Sequence, residues 1–176
     1  DIENQEYVIA MYMFDETRLR KIEKENFDQK LVVGLIYIDN YEEVLQSVED
    51  VRASLLAALI DRKINKFVSN IDGIVRKLEK DKYFMVLKRQ SLEAIRSEKF
   101  DIVDDVKTVS IGNELQVTIS IGIGMGAETY GRLCDYSRAA MDLALGRGGD
   151  QAVVKDGENV YYYGGKTKQV EKNTRV

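Results

Sequence analysis

The side chains that could do chemistry here are mostly carboxylates, because the chain has no histidine and a single cysteine, Cys134. The lack of histidine excludes Ser-His-Asp and Cys-His nucleophilic sites, histidine-ligated zinc and imidazole acid–base steps. One cysteine excludes internal disulfides and thiolate zinc clusters. Asp39 follows a predicted buried strand and precedes a predicted helix, whose first backbone amides, at residues 40–42, could bind phosphate. Asp39 could equally be a helix cap or turn residue.

Charge and hydropathy limit the classes of function. The 176 residues include 26 basic and 30 acidic side chains, a net charge of −4, and 44% are hydrophobic. These values predict one globular domain with a short appendage. The acidic balance argues against nucleic-acid binding, and no run approaches the roughly 18 apolar residues of a membrane span. The start, without an initiator methionine or a signal peptide, predicts a piece of a longer protein.

Hydrophobic patterning predicts helices alternating with strands. Strands are predicted at 7–14, 31–38, 71–78, 83–87, 115–123, 152–154 and 160–163, the last two as a hairpin around Asp156-Gly157. Helices are predicted at 16–26, 49–69, 91–107 (N-capped by Ser91) and 129–147, and their apolar faces include Val51, Leu55 and Leu143. The tight hairpins favour a mixed or antiparallel sheet layered with helices, an α/β (α+β) fold.

Three motifs follow one another along the chain: "LIYIDNYEEV" at residues 35–44, "VTISIGIG" at 117–124 and "SRAAMDLALGRGGDQ" at 137–151. Their order and spacing resemble the GGDEF domain of bacterial diguanylate cyclases, a relative of the adenylyl cyclase and polymerase palm folds. The resemblance implies a nucleotidyl-cyclase-like, mixed and largely antiparallel sheet flanked by helices around a ferredoxin-like core. Gly122 and Gly124 then serve close backbone packing.

The departures from that family concern its active site. The signature of active members, Gly-Gly-Asp/Glu-Glu-Phe, aligns with residues 79–83, Glu-Lys-Asp-Lys-Tyr. Active members hold two divalent ions between a first-strand aspartate, aligned with Tyr37, and a signature-loop carboxylate. The position that binds guanine in the family aligns near Leu45, and the position that binds phosphate aligns with Leu145. The two positions of the product-inhibition site align with Asn70 and Gly73. The resemblance therefore implies no diguanylate cyclase activity.

The segments "DLALGRGGDQAVVK" and "YYYGGKTKQVEKNTRV" narrow the resemblance. They are similar to the membrane-anchored cyclic-di-AMP phosphodiesterases of the GdpP/YybT type, which carry two membrane helices, a degenerate PAS domain, a degenerate GGDEF domain, and DHH and DHHA1 catalytic domains. The resemblance implies that residues 1–27 are the last PAS strand and a linker helix, 28–163 the degenerate GGDEF domain, and 164–176 a linker toward a missing DHH domain. It also implies a place on the cytoplasmic face of the bacterial membrane, with PAS and DHH/DHHA1 domains as partners in cis.

Candidate site residues follow from the same alignment. Nucleotide binding is expected at Asp39, Asn40, Tyr41, Lys82 and Arg147, and Mg²⁺ or Mn²⁺ accompanying the nucleotide at Asp39 and Asp81. The alternatives are a polar hairpin turn at Asp81 and Lys82 and a glycine-rich helix end around Arg147. The spacing Gly-x4-Gly-Lys-Ser/Thr of a P-loop is absent.

Three functions remain open. The first is a regulatory domain of a cyclic-di-AMP phosphodiesterase that binds ATP or GTP and hydrolyses it slowly. The second is a catalytically inert dimerisation and signal-relay module, in which the charged helix at 16–26 pairs with a second chain to form a homodimer; a solvated connecting helix is the plainer reading. The third, a ferredoxin-like RNA or protein adaptor, is disfavoured by the net charge. The phosphodiesterase chemistry of the family uses aspartate and histidine ligands for manganese in the DHH domain. This chain has no histidine, so that chemistry is not expected here.

Overall fold

Six strands form one sheet with helices on both faces in the computed structural model, which describes residues 11–164. The helices are α1 (Thr17–Asp28), α2 (Tyr41–Gln46), α3 (Asp50–Asn70), α4 (Arg89–Ser97), α5 (Ile102–Asp105), a 3₁₀ turn (Val106–Thr108) and α6 (Tyr130–Gly146). The strands are β1 (Leu31–Ile38), β2 (Ile74–Lys77), β3 (Lys82–Lys88), β4 (Ile119–Met125), β5 (Gln151–Asp156) and β6 (Asn159–Gly164).

The strand order β2-β3-β1-β4-β5-β6 contains the predicted ferredoxin-like core. In that core β1 pairs with both β3 and β4, and every pairing is antiparallel. Strand β5 is added in parallel to β4 through the crossover helix α6, and β6 closes the sheet as an antiparallel hairpin. The predicted fold class, mixed and largely antiparallel, is confirmed.

One face of the sheet carries the main hydrophobic core. Helix α3 contributes a stripe at helical spacing, formed by Leu56, Ile60, Ile64 and Val68, all at most 1% exposed. The isoleucines of β4 at alternate positions, 119, 121 and 123, belong to the same cluster. Side chains of a strand alternate between faces, so residues 120, 122 and 124 point to the other side.

Helix α6 lies on that other side, in backbone contact with β4. A Cβ atom added at Gly122 would lie 2.6 Å from the carbonyl oxygen of Ser137 and 2.8 Å from Cα of Met141. A Cβ at Gly124 would lie 2.7 Å from the amide nitrogen of Ser137. The Ser137 hydroxyl donates a hydrogen bond of 2.8 Å to the carbonyl of Gly122. The glycines of "SIGIG" therefore permit close helix packing, as predicted.

Two predicted elements have the wrong bounds. The helix expected over 91–107 begins two residues earlier, at Arg89, and is broken at Lys99 and Phe100, whose φ angles are both +55°. The break buries the Phe100 ring, which is 2% exposed, and α5 and the 3₁₀ turn follow. The strand expected over 115–123 begins at Ile119, because residues 116 and 118 are instead hydrogen bonded to the Asn40 side chain.

Some expected faces are also wrong. Val51, Leu55 and Leu143 were expected to face the core, yet they are 85%, 53% and 38% exposed. Near the start of α3 the buried side chain is Leu56, one residue after Leu55. The strand expected at 7–14 is absent from residues 11–14, which have no regular secondary structure; residues 7–10 lie outside the described residues.

Helix α1 stands apart from the core. It contributes no buried residue, although its first amide, of Thr17, is capped by the Asp15 carboxylate at 3.0 Å. In the described part of the chain, no helix combines the length and apolarity needed to cross a bilayer.

The glycine contact between α6 and β4 can be tested with one methyl group. We expect Gly122→Ala to lower the free energy of unfolding by about 1–3 kcal/mol, because backbone atoms of α6 occupy the space. Urea unfolding measures the change. The matched control is Gly131→Ala in α6, where a Cβ would meet nothing within 4 Å; it should leave stability unchanged or raise it by up to ~1 kcal/mol. Equal stability of the two variants would contradict the packing.

Candidate functional site

The candidate site lies where β1 ends, beside the β2–β3 turn and the start of β4. In the antiparallel register Tyr37 is opposite Lys82 on β3 and opposite Ser120 on β4. Asp39 follows two residues later, so the side chains of Tyr37 and Asp39 start from the same face of the sheet. Antiparallel pairing thus brings together three segments that are far apart in sequence.

The Asp39 carboxylate is held by two hydrogen bonds from the protein. Its Oδ1 accepts a bond of 2.6 Å from the Ser120 hydroxyl, and its Oδ2 accepts a bond of 2.9 Å from the amide of Asp150. Gly149 lies against the same carboxylate: its φ is +73°, and an added Cβ would be 2.9 Å from Cγ of Asp39. Asp39 therefore joins the end of β1 to β4 and to the loop before β5.

The proton affinity of Asp39 reflects this position. Desolvation raises the pKa of Asp39 above its ordinary value, and the hydrogen bonds from Ser120 and Asp150 oppose that rise without cancelling it. The neighbouring carboxylate of Asp150 adds a smaller increase to the pKa of Asp39 through like-charge repulsion.

The next two predicted residues also have roles within the fold. The Asn40 side chain accepts a 3.0 Å hydrogen bond from the amide of Thr118 and donates one of 2.7 Å to the carbonyl of Gln116. It thereby stands in for ladder bonds that β4 would otherwise make there. Tyr41 opens α2 and is half-buried against the main core.

The β2–β3 turn is a set of close charge pairs. The Nζ atom of Lys82 is 2.8 Å from a carboxylate oxygen of Glu79 and 5.5 Å from the centroid of the Tyr37 ring. Lys80 forms an ion pair with Glu42 of α2, which draws the turn toward the start of that helix. Tyr37 and Lys82, which are paired across β1 and β3, thus also have their side chains in contact.

Asp81 lies between the two lysines of this turn without an ion pair of its own in the described chain, and Arg147 lies at the end of α6. The backbone carbonyl of Asp81 accepts a 2.9 Å bond from the amide of Ile38, and its side chain is half-buried. The guanidinium of Arg147 stacks on Tyr162 of β6, 4.4 Å from the ring centroid. Among residues 11–164, no group of three or more histidine, cysteine or acidic side chains is placed to hold a metal ion.

Residues at the start of β4 and before β5 complete the site and were not predicted. They are Ser120, Gly149, Asp150 and Lys107 of the 3₁₀ turn, whose Nζ is 2.8 Å from Oδ2 of Asp150. The glycine-rich stretch at 146–149 was a visible signal for a tight turn. The hydrogen bond of the next residue, Asp150, to Asp39 spans 111 residues and follows only from the sheet topology.

The fold can now be compared with solved structures. The GGDEF domain of DgcB from Caulobacter crescentus, solved with c-di-GMP, superposes with a TM-score of 0.60 at 12% identity, covering 80% of this chain and 84% of that one. The active GGEEF domain of a diguanylate cyclase from Vibrio cholerae gives 0.59 at 13% identity, covering 78% and 89%. At these identities the comparison defines the fold alone: this is a GGDEF-type domain.

The family follows from sequence. Residues 36–161 match the family model of the GGDEF domain of cyclic-di-AMP phosphodiesterase GdpP-like proteins, and the chain belongs to that family. It is 34% identical to cyclic-di-AMP phosphodiesterase GdpP of Geobacillus thermodenitrificans and 32% identical to that of Bacillus subtilis, over 94% of this chain. Only 25% of each relative is covered, so the chain spans about a quarter of their length.

The environment of Asp39 gives a testable order of proton affinities. In a carboxyl NMR titration we expect the pKa of Asp39 above the ordinary value of about 3.9 because its carboxylate is desolvated. The pKa of the exposed Asp72 should lie below that value because Lys88 hydrogen bonds to it. Ser120→Ala should raise the pKa of Asp39 further, because the change removes a donor to the carboxylate. The opposite order of Asp39 and Asp72 would show that the described contacts are not those in solution.

Proposed function

We propose that this domain is a regulatory GGDEF domain of a cyclic-di-AMP phosphodiesterase and that it does not cyclise GTP. Membership of the GdpP-like family and the names of its relatives support the phosphodiesterase context. Since the chain spans a quarter of those relatives, the phosphodiesterase reaction is assigned to the parent protein and not to this domain.

The observation that carries the proposal is the pair formed by Tyr37 and Lys82. By the family alignment, both positions bear carboxylates in active cyclases, and the antiparallel register places them opposite each other. Here the Lys82 ammonium lies 5.5 Å from the Tyr37 ring centroid, a cation–π arrangement. A fixed positive charge beside a neutral ring replaces two negative groups.

A two-metal centre does not fit these residues. Mg²⁺ requires oxygen ligands at close to octahedral geometry, and Lys82 would repel it. Both oxygens of Asp39 already accept hydrogen bonds from Ser120 and Asp150. Cyclisation of GTP through two metal ions needs a carboxylate at both positions. We therefore propose that this site does not cyclise GTP, and the proposed regulatory role does not depend on that reaction.

Binding of ATP or GTP, with slow hydrolysis, stays a prediction for the same site. Asp39 and Asn40 hold parts of the fold, and Arg147 stacks on Tyr162, so variants of these residues would change structure as well as binding. Lys82 is the informative position, because its side chain is 33% exposed and its nearest partner is a residue of the same turn.

A second role, pairing of two chains through α1, is favoured by one observation. Helix α1 has no buried residue, yet Leu19, Ile22 and Phe27 are 55%, 51% and 46% exposed. Leu19 and Ile22 are three residues apart and share one helix face. An apolar stripe of this kind is typical of a helix that packs against a second helix. We propose that a second copy of this chain supplies the second helix and that the resulting homodimer relays signals into the domain.

The proposal makes a prediction about divalent-ion binding and GTP cyclisation. With GTP and Mg²⁺ or Mn²⁺, the wild-type chain should form no cyclic dinucleotide, as measured by liquid chromatography. The double variant Tyr37→Asp/Lys82→Glu recreates two facing carboxylates and should gain divalent-ion binding in calorimetry. The matched control Val51→Asp/Arg76→Glu makes the same change of three charge units at two exposed positions on separate elements, and it should gain none. Cyclic dinucleotide formed by the wild-type chain would refute the proposal.

The second prediction concerns α1. Leu19→Glu/Ile22→Glu should abolish self-association in sedimentation equilibrium, because it places charges on the paired face. The control Val51→Glu alters an apolar residue that is 85% exposed on α3 and should leave association unchanged. A wild-type chain that is monomeric at high concentration, or equal loss in both variants, would rule out pairing through this stripe.

A further inference from the structure

A cavity lies at the other end of β1 from Asp39. It is a groove of about 860 Å³ between the end of α1, the start of β1 and the loop that joins β4 to α6. Strand β1 has eight residues, so roughly 25 Å separates the groove from the candidate site. None of the predicted site residues lines it.

The guanidinium of Arg89 lines the groove without a hydrogen-bond acceptor among residues 11–164. Its Nε atom is buried and has no partner. Its Nη2 atom is 3.7 Å from a carboxylate oxygen of Asp156, too far for a hydrogen bond. The side chain is only 17% exposed, so water has little access to the Nε donor of the fork. Leaving such a group unmatched is costly.

A second cation lies against the same aromatic ring. Cζ of Arg89 is 4.0 Å and Nζ of Lys30 is 5.8 Å from the centroid of Phe27, at the end of α1. In the described chain, no carboxylate lies within ion-pair distance of Lys30. Glu128 is the one acidic residue among the groove's described lining, so Lys30 and Arg89 leave that lining with one excess positive charge. Asp156 does not line the groove, but its carboxylate is within ion-pair distance of Arg89, which leaves Lys30 as the cation without an ion-pair partner among the residues that the structure describes.

The rest of the groove suits an apolar or ring-shaped group. Leu31 is 43% exposed beside the buried side chains of Met125 and Leu133. Tyr130, which also lines the groove, is 70% exposed. Exposed apolar and aromatic surface inside a concave site is characteristic of small-molecule pockets, whose volumes are roughly 300–1,000 Å³.

We propose that this groove binds a small organic phosphate, with the phosphate on Arg89 and Lys30 and an apolar or ring-shaped body against Leu31 and Tyr130. Two cations on one ring favour a dianion over a singly charged carboxylate. The guanidinium fork is suited to two phosphate oxygens at once. This binding is independent of the Asp39 site and of any divalent ion.

Binding in this groove would change the contacts that hold the end of α1. The Arg89 guanidinium stacks on Phe27, and the Arg89 amide donates a 2.8 Å hydrogen bond to the carbonyl of Lys30. A phosphate that draws the guanidinium toward itself competes with the Phe27 contact. The ligand therefore acts on the joint between the helix and the sheet.

The test is an NMR titration of the ¹⁵N-labelled 176-residue chain with adenosine 5′-monophosphate in the presence of EDTA. We expect shifts of the amides of Leu31 and of residues 126–130, while the amides of Asn40 and Tyr41 report separately on the other site. Arg89→Met should weaken binding at least about tenfold, because a charge-assisted bond is lost. The matched control Arg76→Met, an exposed arginine on β2, should bind as the wild type does.

Other probes separate the parts of the proposal. Inorganic phosphate and adenosine should each shift the same amides less strongly than the whole monophosphate. No shift of the groove amides, equal affinity of Arg89→Met and wild type, or equal binding of adenosine alone would overturn the proposal. If Arg89→Met does not fold, as judged by its amide spectrum, Lys30→Met takes its place and should also weaken binding.

Discussion

The packing of α6 directly on β4 is the constraint on which the rest of the structure depends. Only glycine at 122 and 124 allows helix backbone to lie on strand backbone, since a Cβ at Gly122 would stand 2.6 Å from a carbonyl oxygen of α6. That close approach fixes the distance between α6 and the sheet. Because β5 follows α6 in the chain, it also fixes where β5 begins. The amide of Asp150 then meets Asp39 at 2.9 Å. A contact in the core thus decides the geometry of the site.

The site itself balances its charges with its own side chains. Lys82 is paired with Glu79, Lys80 with Glu42, and Lys107 with Asp150. Exposed ion pairs contribute only about 0–1 kcal/mol each, so a pair such as Lys80 with Glu42 does little for stability. Their consequence is electrostatic, because a divalent ion gains least where lysines already neutralise the carboxylates. This balance supports a regulatory role over a metal-dependent one.

The sequence was sufficient for the fold where patterns are local. The buried strand at 31–38, the hairpin turn near Asp81 and the glycines of "SIGIG" all behave as predicted. The break at Lys99 and Phe100 was not predictable, because burial of one aromatic ring outweighs the helical preference of the surrounding residues. The partners of Asp39 were missed for a related reason: Ser120 and Asp150 come near it only through strand pairing.

The two ends of β1 differ in how firmly they are held. Beyond its last residue, Asp39 and Asn40 make hydrogen bonds to two other segments, the start of β4 and the loop before β5. Before its first residue, α1 has no buried side chain, and the joint at Phe27 relies on stacking with Arg89. A cation–π contact is worth about 0.5–2 kcal/mol, comparable to the free energy with which a weak ligand shifts a two-state equilibrium. If α1 relays a signal, as proposed above, this joint is where the helix can move without disturbing the core, and a ligand in the groove beside Arg89 would bias that movement.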